Sequence, residues 1–331
     1  MSSKAQLLFR LRENQGVPVS GNVLAHEMGI SRVAVWKAVQ ALLEAGYAIE
    51  TKDTGYLFSP NNEKDFLYPW EFGENEGNFH HYLSTTNTMD RARELALRGA
   101  DSGTVITADR QTAGKCRNGR TWISRSGGLY FSILERPRLT IADYPLFSLV
   151  LQIAVVKTIS SVCGKTAYLR WPNDIYINNR KIAAITTEVS GEGDLLTWLI
   201  GGIGINVNNK GPTIKAISCA EIIKRQTSRK EILCKILEEF ETTKKIIYST
   251  AIYSQGSSAL AAEWNSLTDS IGAKAAVFEP KNKENDSNKE PVEILKRGIF
   301  KGIDPLGRCI LETKDETLVF NQGSVSLQLA I

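Results

Sequence analysis

A glycine-bracketed, cation-rich segment is the most informative chemical pattern in the sequence. Residues 109–122 read DRQTAGKCRNGRTW and follow the apolar run GTVITA; their two glycines enclose the cations Lys115, Arg117 and Arg120. Glycine lets a backbone approach an anion closely, and the cations can neutralise a phosphate or an acyl phosphate. By composition alone the segment predicts an anion-binding loop of unknown partner, and a basic surface loop is the alternative.

A second segment, residues 170–188, reads RWPNDIYINNRKIAAITTE. Asn173 and Asp174 place an amide and a carboxylate at the start of a strand, where they could hold magnesium against phosphates. Lys181 follows a turn at 178–179 and opens the next apolar strand, so its ammonium could project into a pocket. Taken singly, Asp174 could equally be a turn residue, and Lys181 a strand-edge charge that deters aggregation.

The apolar patterns around these segments predict an α+β domain. Strand-like runs such as GLYFSIL, KIAAITTEV and LLTWLIGGIGINV mix with helical runs at 88–98 and 145–163. The expected architecture is one sheet backed by helices on a face. From about Leu267, short strands separated by turn signals, such as Asp304-Pro305-Leu306-Gly307, predict a small β-barrel.

The N-terminal residues predict a winged helix-turn-helix. An amphipathic helix over 4–14 is followed by a helix capped by Ser20, a turn at Gly29 and a third helix capped by Ser31. Residues 46–58, GYAIETKDTGYLF, then alternate into a β-hairpin wing. A three-helix packing module without DNA contact is the alternative interpretation.

The third helix carries most of the predicted DNA contacts. Near its N-terminus, where a recognition helix meets base edges and phosphates, lie Ser31, Arg32, Ala34, Val35 and Lys37, with Ser20 on the preceding helix. The expected buried face of this helix consists of Trp36, Val39, Leu42 and Leu43. Because the charges of the first 58 residues nearly cancel, any DNA binding must come from geometry and dimerisation.

The length of 331 residues exceeds what one hydrophobic core usually supports, so several domains are expected. Hydrophobic and charged fractions of 42% and 23% are typical of a folded protein and exclude bulk disorder. The Asn-, Pro-, Gly- and Glu-rich stretch after the wing predicts an interdomain linker. The predicted bounds are 1–58, linker 59–79, 80–266 and 267–331.

The sequence predicts a cytoplasmic protein. No apolar run approaches the roughly 18 residues of a membrane span, and charges interrupt any signal-like core at the N-terminus. The five cysteines are scattered without a C-x-x-C pair, and the three histidines form no ligand constellation. Reduced thiols and no metal site in the scaffold are therefore expected.

Together these motifs resemble the biotin protein ligase family, in the bifunctional form that also serves as the biotin operon repressor. The order and spacing of GKCRNGRTW and of WPND followed by KIAAI carry most of the specificity. The resemblance covers nearly the whole chain: residues 1–58, Thr85-Thr86-Asn87, the two segments above, GIGINVN at 202–208 and the C-terminal GSVSLQL. It implies a class II synthetase-like biotin/lipoate ligase fold with a C-terminal SH3-like barrel.

The resemblance also implies site residues. Those expected at biotin are Thr85, Thr86, Asn87, Gln111, Gly114, Lys115, Cys116, Arg117, Lys181 and Ala184. Those expected at ATP or the adenylate are Arg117, Arg120, Trp122, Asn173, Lys181 and Asn206. Lys181, Arg117 and Asp174 are the expected catalytic groups, with magnesium carried by ATP and held near Asp174.

The activity implied is ATP-dependent formation of biotinyl-5′-AMP and transfer of biotin to one lysine of a biotin carboxyl carrier protein. The implied partners are that carrier, operator DNA with an inverted repeat, and a second copy of the chain when the adenylate is bound. Thr85, Cys116 and Ala184 depart from the family, which commonly has serine, glycine and glycine there. A lipoate ligase, or a biotin-sensing regulator that no longer transfers biotin, are the alternatives.

Overall fold

The structure, a computed structural model, describes residues 1–59, 65–116, 121–249, 253–279 and 294–330. The chain divides into two compact units, Met1–His81 and Tyr82–Ile331. The expected α+β class and the N-terminal helix-turn-helix are both confirmed. The finer division into a ligase domain and a C-terminal domain at 266/267 stays a prediction.

The helices of the first unit begin at serine caps. They are α1 (Ser3–Glu13), α2 (Gly21–Met28) and α3 (Arg32–Glu44). The hydroxyls of Ser2, Ser20 and Ser31 accept hydrogen bonds from backbone N–H groups three residues on, which would otherwise be unsatisfied. Gly29, with φ of 64°, ends α2 in the left-handed conformation and makes the predicted tight turn.

The wing is the predicted antiparallel hairpin. Strands β1 (Ile49–Lys52) and β2 (Gly55–Phe58) pair from Ile49 opposite Phe58 to Lys52 opposite Gly55. A Cβ at position 55 would lie 2.2 Å from the carbonyl oxygen of Val19, so the wing can approach the chain before α2 only with glycine there. The core beneath the helices and wing includes Leu7, Leu8, Leu11, Leu24, Val35, Val39, Leu42 and Phe58.

Residues 65–78, which fall in the predicted linker, pack onto this first unit. Pro69–Asn78 forms short 3-10 turns, and Phe66, Tyr68 and Trp70 lie against the helix-turn-helix core. The side chain of Glu71 is 2% exposed. The polar composition of the stretch concealed these contacts, because short 3-10 turns give no sustained hydrophobic period.

The second unit is built on a mainly antiparallel sheet. Its strands are β3 (Phe79–Tyr82), β4 (Thr104–Ala108), β5 (Leu129–Glu135), β6 (Tyr168–Arg170), β7 (Asp174–Ile177), β8 (Arg180–Glu192) and β9 (Leu195–Ile205). Six of these strands lie in the order β4-β5-β9-β8-β7-β6. The seventh strand is β3, and the boundary between the two units falls within it, between residues 81 and 82. Every neighbouring pair from β4 to β6 is antiparallel.

Helices cover both faces of this sheet, which corrects the expectation of one covered face. They are α4 (Thr88–Leu97), α5 (Tyr144–Cys163), α6 (Cys219–Ile223), α7 (Arg229–Ser249) and α8 (Tyr253–Ser266). Successive strand residues point to opposite faces: a Cβ on Gly201 would meet Leu151 of α5, and one on Gly202 would meet Met89 of α4. Helices α7 and α8 pack with α5.

Helix α5 is apolar enough to cross a membrane by length and composition, so the expectation that no such run exists is wrong. The window within Ile141–Cys163 has a mean hydropathy of 1.9, and 78% of it is buried. This burial is the property of a core helix, because α5 lies between the sheet and α7 and α8.

The C-terminal strands form the expected small barrel-like sheet. They are β10 (Lys274–Phe278), β11 (Ile294–Ile303), β12 (Cys309–Glu312), β13 (Thr317–Phe320) and β14 (Ser326–Ala330), in the antiparallel order β13-β12-β11-β10-β14. The predicted turn before β12 is fixed by Asp304, whose carboxylate accepts hydrogen bonds from the backbone N–H groups of Leu306 and Arg308. The indole of Trp171 donates to the carbonyl of Gly307 at 3.2 Å, which joins this turn to the WPND segment.

Candidate active site

A cleft opens on the face of the sheet that carries α4. Its floor consists of two cross-strand pairs, Ala184 opposite Gly204 and Thr186 opposite Gly202. Alternation along β8 and β9 places all four on one face. Because these side chains are small or missing, Met89 and the Trp122 indole approach the sheet closely over Gly202 and Gly204.

The walls of the cleft come from the start of α4 and from the segment after β4. They are formed by Asn87, Thr88, Met89, Gln111, Lys115, Cys116 and Trp122. The Asn87 amide oxygen caps α4 by accepting a hydrogen bond from the N–H of Met89 at 2.9 Å. The Gln111 side chain accepts from the N–H of Thr88 at 2.8 Å and donates to the Ser124 hydroxyl at 2.9 Å. This wall is therefore held in place before any ligand binds.

Gly114 and Trp122 close the base of the predicted anion-binding loop. The N–H of Trp122 donates to the carbonyl of Gly114 at 2.9 Å. A Cβ on Gly114 would lie 2.5 Å from the carbonyl oxygen of Trp122 and 2.7 Å from the hydroxyl of Ser124. Only glycine allows these two strands of the loop to approach so closely.

The Trp122 indole lies against the floor of the cleft. A Cβ on Gly204 would be 2.5 Å from its Nε1. This Nε1 is buried and has no hydrogen-bond partner within the described ranges. An unsatisfied buried donor costs about 1–3 kcal/mol, so the indole is placed to donate to an acceptor that a bound ligand supplies.

Asn206 offers a second such donor. It follows β9 two residues after Gly204 and is fully buried. Its Oδ1 accepts a hydrogen bond from Asn209 at 2.9 Å, whereas its Nδ2 has no partner among the residues that the structure describes. Backbone hydrogen bonds to Ile182 and from Cys219 fix its position. The amide is thus rigidly held with one donor unused.

Lys181 and Asp174 form an ion pair beside the cleft. They lie on neighbouring strands, β8 and β7, which the predicted turn joins; Asn178 and Asn179 have φ of 50° and 58° there. Positive φ at both central residues is the pattern of a two-residue hairpin turn, and asparagine tolerates it well. The side chains of Lys181 and Asp174 are 26% and 21% exposed.

The environment keeps Lys181 charged. Burial opposes its protonation, but the Asp174 carboxylate, together with Tyr176 and the Cys116 thiol, outweighs burial and raises the pKa of Lys181 above its ordinary value. Asp174 lies opposite Ala184 of the cleft floor, which places the ion pair beside the cleft. A fixed cation at this position can stabilise negative charge that develops on a bound substrate.

The residues around Asp174 do not form a protein metal site by themselves. The Asn173 amide donates to the carbonyl of Ile185, and the Asp174 carboxylate is paired with Lys181. Within the described ranges no three His, Cys, Asp or Glu side chains cluster to hold a metal. One carboxylate can complete the coordination of magnesium only when substrate phosphates supply further oxygens.

The segment before α6 holds the start of β8 in position. The N–H of Lys181 donates to the carbonyl of Lys215 at 2.8 Å, and its carbonyl accepts from Ile217 at 3.0 Å. Glu221 of α6 fixes this segment: its carboxylate accepts hydrogen bonds from the N–H of Gly211 at 2.9 Å and from the N–H and hydroxyl of Ser218 at 3.0 Å. Burial disfavours its charge, but these hydrogen bonds and Arg180 lower the pKa of Glu221.

The cleft brings together many of the predicted ligand-binding residues but not all. It is lined by the predicted Asn87, Gln111, Lys115, Cys116, Trp122 and Ala184. Thr85 and Thr86 do not line it: the Thr85 hydroxyl accepts a hydrogen bond from Arg91 at 3.0 Å, and Thr86 is exposed. The predicted Arg117 and Arg120 lie outside the described residues.

The sequence reasoning missed several lining residues, namely Thr88, Met89, Thr186, Gly202, Ile203 and Gly204. A signal for the floor was present in the alternation of glycines in GGIGI, because residues two apart share a face of a strand. The same rule adds Thr186 once Ala184 is placed. Thr88 and Met89 carried no separate signal.

The N-terminal unit corrects two predictions for α3. Val35 is fully buried, so it packs in the core and does not contact DNA, whereas Trp36, expected in the core, is 52% exposed. The buried face is formed by residues 35, 38, 39 and 42 at helical spacing, and Trp36 is rotated away from it. Arg32 and Lys37 are exposed, Ala34 is half-buried, and Ser20 and Ser31 are helix caps.

Comparisons with known proteins match the N-terminal residues and the central residues to two different domain families. An HTH domain model matches residues 4–57, and the Biotin/lipoate A/B protein ligase family model matches residues 81–206. The bifunctional ligase/repressor BirA of Bacillus subtilis strain 168 is 37% identical over 200 residues, which span 58% of this chain and 61% of that protein. The Escherichia coli K12 protein of the same name is 26% identical over 326 residues, covering 94% and 93% of the two chains.

A solved structure shows the same fold. The biotin protein ligase from Aquifex aeolicus in complex with biotin and ATP superposes with a TM-score of 0.61 and 26% identity. The match covers 76% of this chain and 99% of that one. The arrangement of sheet and helices described above is therefore shared with a known enzyme.

Proposed function

Because the chain belongs to the biotin/lipoate A/B protein ligase family, we propose that it activates biotin with MgATP and transfers it to one lysine of a biotin carboxyl carrier protein. The observation that carries the proposal is the small-residue floor of the cleft with the charged Lys181 beside it. The buried donors of Trp122 and Asn206 have no acceptor among the described residues, as expected where a polar ligand binds. The enzyme would act in the cytoplasm, where ATP and carrier proteins meet.

In the first step the biotin carboxylate attacks the α-phosphorus of ATP, and pyrophosphate leaves. Negative charge builds up on the α-phosphoryl oxygens in the transition state. Lys181 is a cation held in place by Asp174, so it stabilises this charge with little reorganisation. The products are biotinyl-5′-AMP, which stays bound, and pyrophosphate.

In the second step the neutral ε-amine of the carrier lysine attacks the acyl carbon of the mixed anhydride. The bond between the acyl carbon and the phosphate oxygen breaks, AMP leaves, and the amine gives up a proton as the amide forms. Water competes for the same carbon, so the adenylate must be covered. The loop whose base is closed by Gly114 and Trp122 is the proposed cover.

The test is label transfer from biotin to an isolated carboxyl-carrier domain with ATP and magnesium. We expect one biotin per carrier, with AMP and pyrophosphate as the other products. A parallel reaction with lipoate tests the nearest alternative, since preferential transfer of lipoate would reassign the substrate. Adenylate formation without transfer to a competent carrier would instead identify a biotin-sensing regulator.

We further propose that the N-terminal unit binds an inverted-repeat operator as a ligand-dependent dimer. Helix α3 is capped and its cations Arg32 and Lys37 are exposed, as a recognition helix requires. Pairing two half-sites would compensate for the nearly neutral charge of the unit and would couple repression to biotin supply.

Deleting residues 1–58 should abolish DNA binding and leave adenylation intact, and biotin with ATP should strengthen binding of the full chain. Equal affinity with and without the ligands would contradict the coupling.

A further inference from the structure

Helix α3 presents two large apolar side chains to solvent. Val33 is 62% exposed and Trp36 is 52% exposed, although Val35 and Val39 of the same helix are fully buried. Positions 33, 36 and 37 are neighbours on one face, because residues three and four apart meet on a helix surface. The core of the first unit does not use this face, so its apolar character requires another explanation.

Val33 and Trp36 line a groove with the start of α2 and with the wing. Ser20, Gly21 and Asn22 border it on one side, and Thr51 and Lys52 on the other. The exposed cations Arg32 and Lys52 line the groove together with Asp53, and Lys52 is paired with Glu50 at 3.2 Å. The exposed Lys37 directly follows Trp36 in the helix. Cations around a groove on a capped helix complement a polyanion, and an apolar stripe inside that groove complements a methyl-bearing surface.

We propose that Val33 and Trp36 contact thymine methyl groups in the major groove of the operator; this rests on the DNA binding proposed above. Thymine is the one base that presents a methyl group there, so apolar contact distinguishes it from cytosine. Both residues lie in the N-terminal half of α3, the part of a recognition helix that reaches base edges. Arg32 and Lys37 then contact the phosphates on either side, which positions the helix without reading sequence.

The test replaces thymine by uracil, which removes the methyl group and leaves the base-pairing edge unchanged. The probe is the duplex that the full-length chain selects from a random-sequence pool with biotin, ATP and magnesium. Each thymine of a half-site is replaced in turn, in both half-sites. Loss of a methyl contact worth about 0.8 kcal/mol corresponds to about a fourfold loss of affinity, and we expect it at one or two positions in each half-site.

The protein variants assign those positions. In Trp36→Ala the uracil penalty should vanish at the position that Trp36 contacts, and Val33→Ser, which removes both methyl groups of the side chain, should remove it at the other. Phe9→Ala is the matched control, because Phe9 is a 53% exposed aromatic residue on α1 that does not line the groove. It should keep every uracil penalty of the wild type.

Lys37→Ala separates base reading from phosphate contact. It should weaken all duplexes to a similar extent and reduce the slope of log affinity against log salt by about one, with the uracil penalties unchanged. Trp36→Ala should leave this slope as in the wild type. Hydrogen exchange of the α1 amides in each variant reports that the first unit is folded.

The outcomes separate this inference from the proposed function. A selected duplex that binds tightly but shows no uracil penalty, or a penalty that persists in both Val33→Ser and Trp36→Ala, would overturn thymine reading and leave operator binding in place. Failure to select any duplex would overturn operator binding and this inference together. Penalties that disappear only in the matching variants would establish it.

Discussion

The ammonium of Lys181 pairs with the carboxylate of Asp174 across the β7–β8 hairpin. A register shift between Ile175 and Tyr176 places Lys181 opposite Tyr176, so a bulge adjusts the direction of its side chain. Lys181 is also held through its backbone by Lys215 and Ile217. The cation is thus oriented before substrate binds, which is the condition under which a fixed charge lowers a barrier most effectively.

We expect Lys181→Ala to reduce kcat for adenylate formation by at least about 100-fold, because charge stabilisation of this kind acts mainly in the transition state. The affinity for biotin should change much less. Pyrophosphate release at saturating substrates measures the first quantity, and equilibrium biotin binding measures the second. Lys181→Arg is the control, since it keeps the charge but not the compact ammonium. An unchanged kcat in Lys181→Ala would show that this cation is not at the α-phosphate.

We expect Gly114→Ala to weaken biotin binding and to cost about 1–3 kcal/mol of stability, as overpacking does. The new methyl would lie 2.5 Å from the carbonyl oxygen of Trp122 and would force the base of the loop apart. Calorimetric biotin binding and urea unfolding measure the two effects. Gly77→Ala is the control, because a Cβ there meets nothing within 4 Å. Wild-type binding by Gly114→Ala would exclude the loop base from the ligand site.

The loop itself is tested by Arg117→Gly and Cys116→Gly. We expect Arg117→Gly to form the adenylate but to release it, so that bystander lysines become labelled; streptavidin blotting of a mixed protein pool measures this. Cys116→Gly should slow adenylate dissociation modestly or leave it unchanged, because glycine closes a loop more easily than cysteine. Retention of the adenylate by Arg117→Gly as in the wild type, or faster escape from Cys116→Gly, would show that this loop is not the cover.

Local sequence signals predicted the elements well because each has a local cause. Serine caps, the left-handed Gly29 and the asparagine turn at 178–179 follow from backbone chemistry within a few residues. The Lys181 prediction was similarly local, since it depended on a turn followed by an apolar strand.

Tertiary placement was harder to predict. Val35 is buried and the adjacent Trp36 is exposed, the reverse of the prediction. Which of the two faces the core depends on the rotation of α3 about its axis, and residue hydrophobicity alone does not determine this rotation. The aromatic residues at 66–70 were assigned to a linker because a 3-10 turn has no helical period. Thr85 carries the expected hydroxyl, but this hydroxyl accepts a hydrogen bond from Arg91 of α4, a contact that only the folded chain reveals.

The Glu221 carboxylate gives a pH dependence. Its pKa is lowered below the ordinary 4.5, so its contribution to stability is present above about pH 4.5 and is lost as the pH falls through the folded value. We expect Glu221→Gln to remove this part of the acid sensitivity and to loosen the segment that holds Lys181. Hydrogen exchange of the Lys181 and Ser218 amides, followed from pH 6 to pH 3, measures it. Glu192→Gln, in the exposed end of β8, is the control. Identical exchange profiles for Glu221→Gln and the wild type would contradict this role.

The buried Glu71 makes the last prediction, which concerns the first unit. Its carboxylate accepts two hydrogen bonds from Arg12, at 2.8 and 3.0 Å, and one from the Tyr47 hydroxyl at 2.6 Å. Burial and the charge of Glu71 raise the pKa of Tyr47 far above its ordinary value, so Tyr47 remains a donor. Residues 65–78 are therefore attached to α1 and to Tyr47, which precedes β1, by a network whose charged centre is buried.

We expect Glu71→Gln to destabilise the first unit by about 3 kcal/mol, the lower end of the cost of breaking a buried pair, since Arg12 is 26% exposed and recovers some solvation. Urea unfolding, monitored by hydrogen exchange of the α1 amides, measures this loss of stability in the first unit alone. Glu13→Gln is the matched control, because Glu13 and Arg10 form an ion pair whose side chains are 47% and 38% exposed; its loss should cost less than about 1 kcal/mol. If the two variants lose equal stability, residues 65–78 are not fixed by this network, and their packing depends on Phe66, Tyr68 and Trp70 instead.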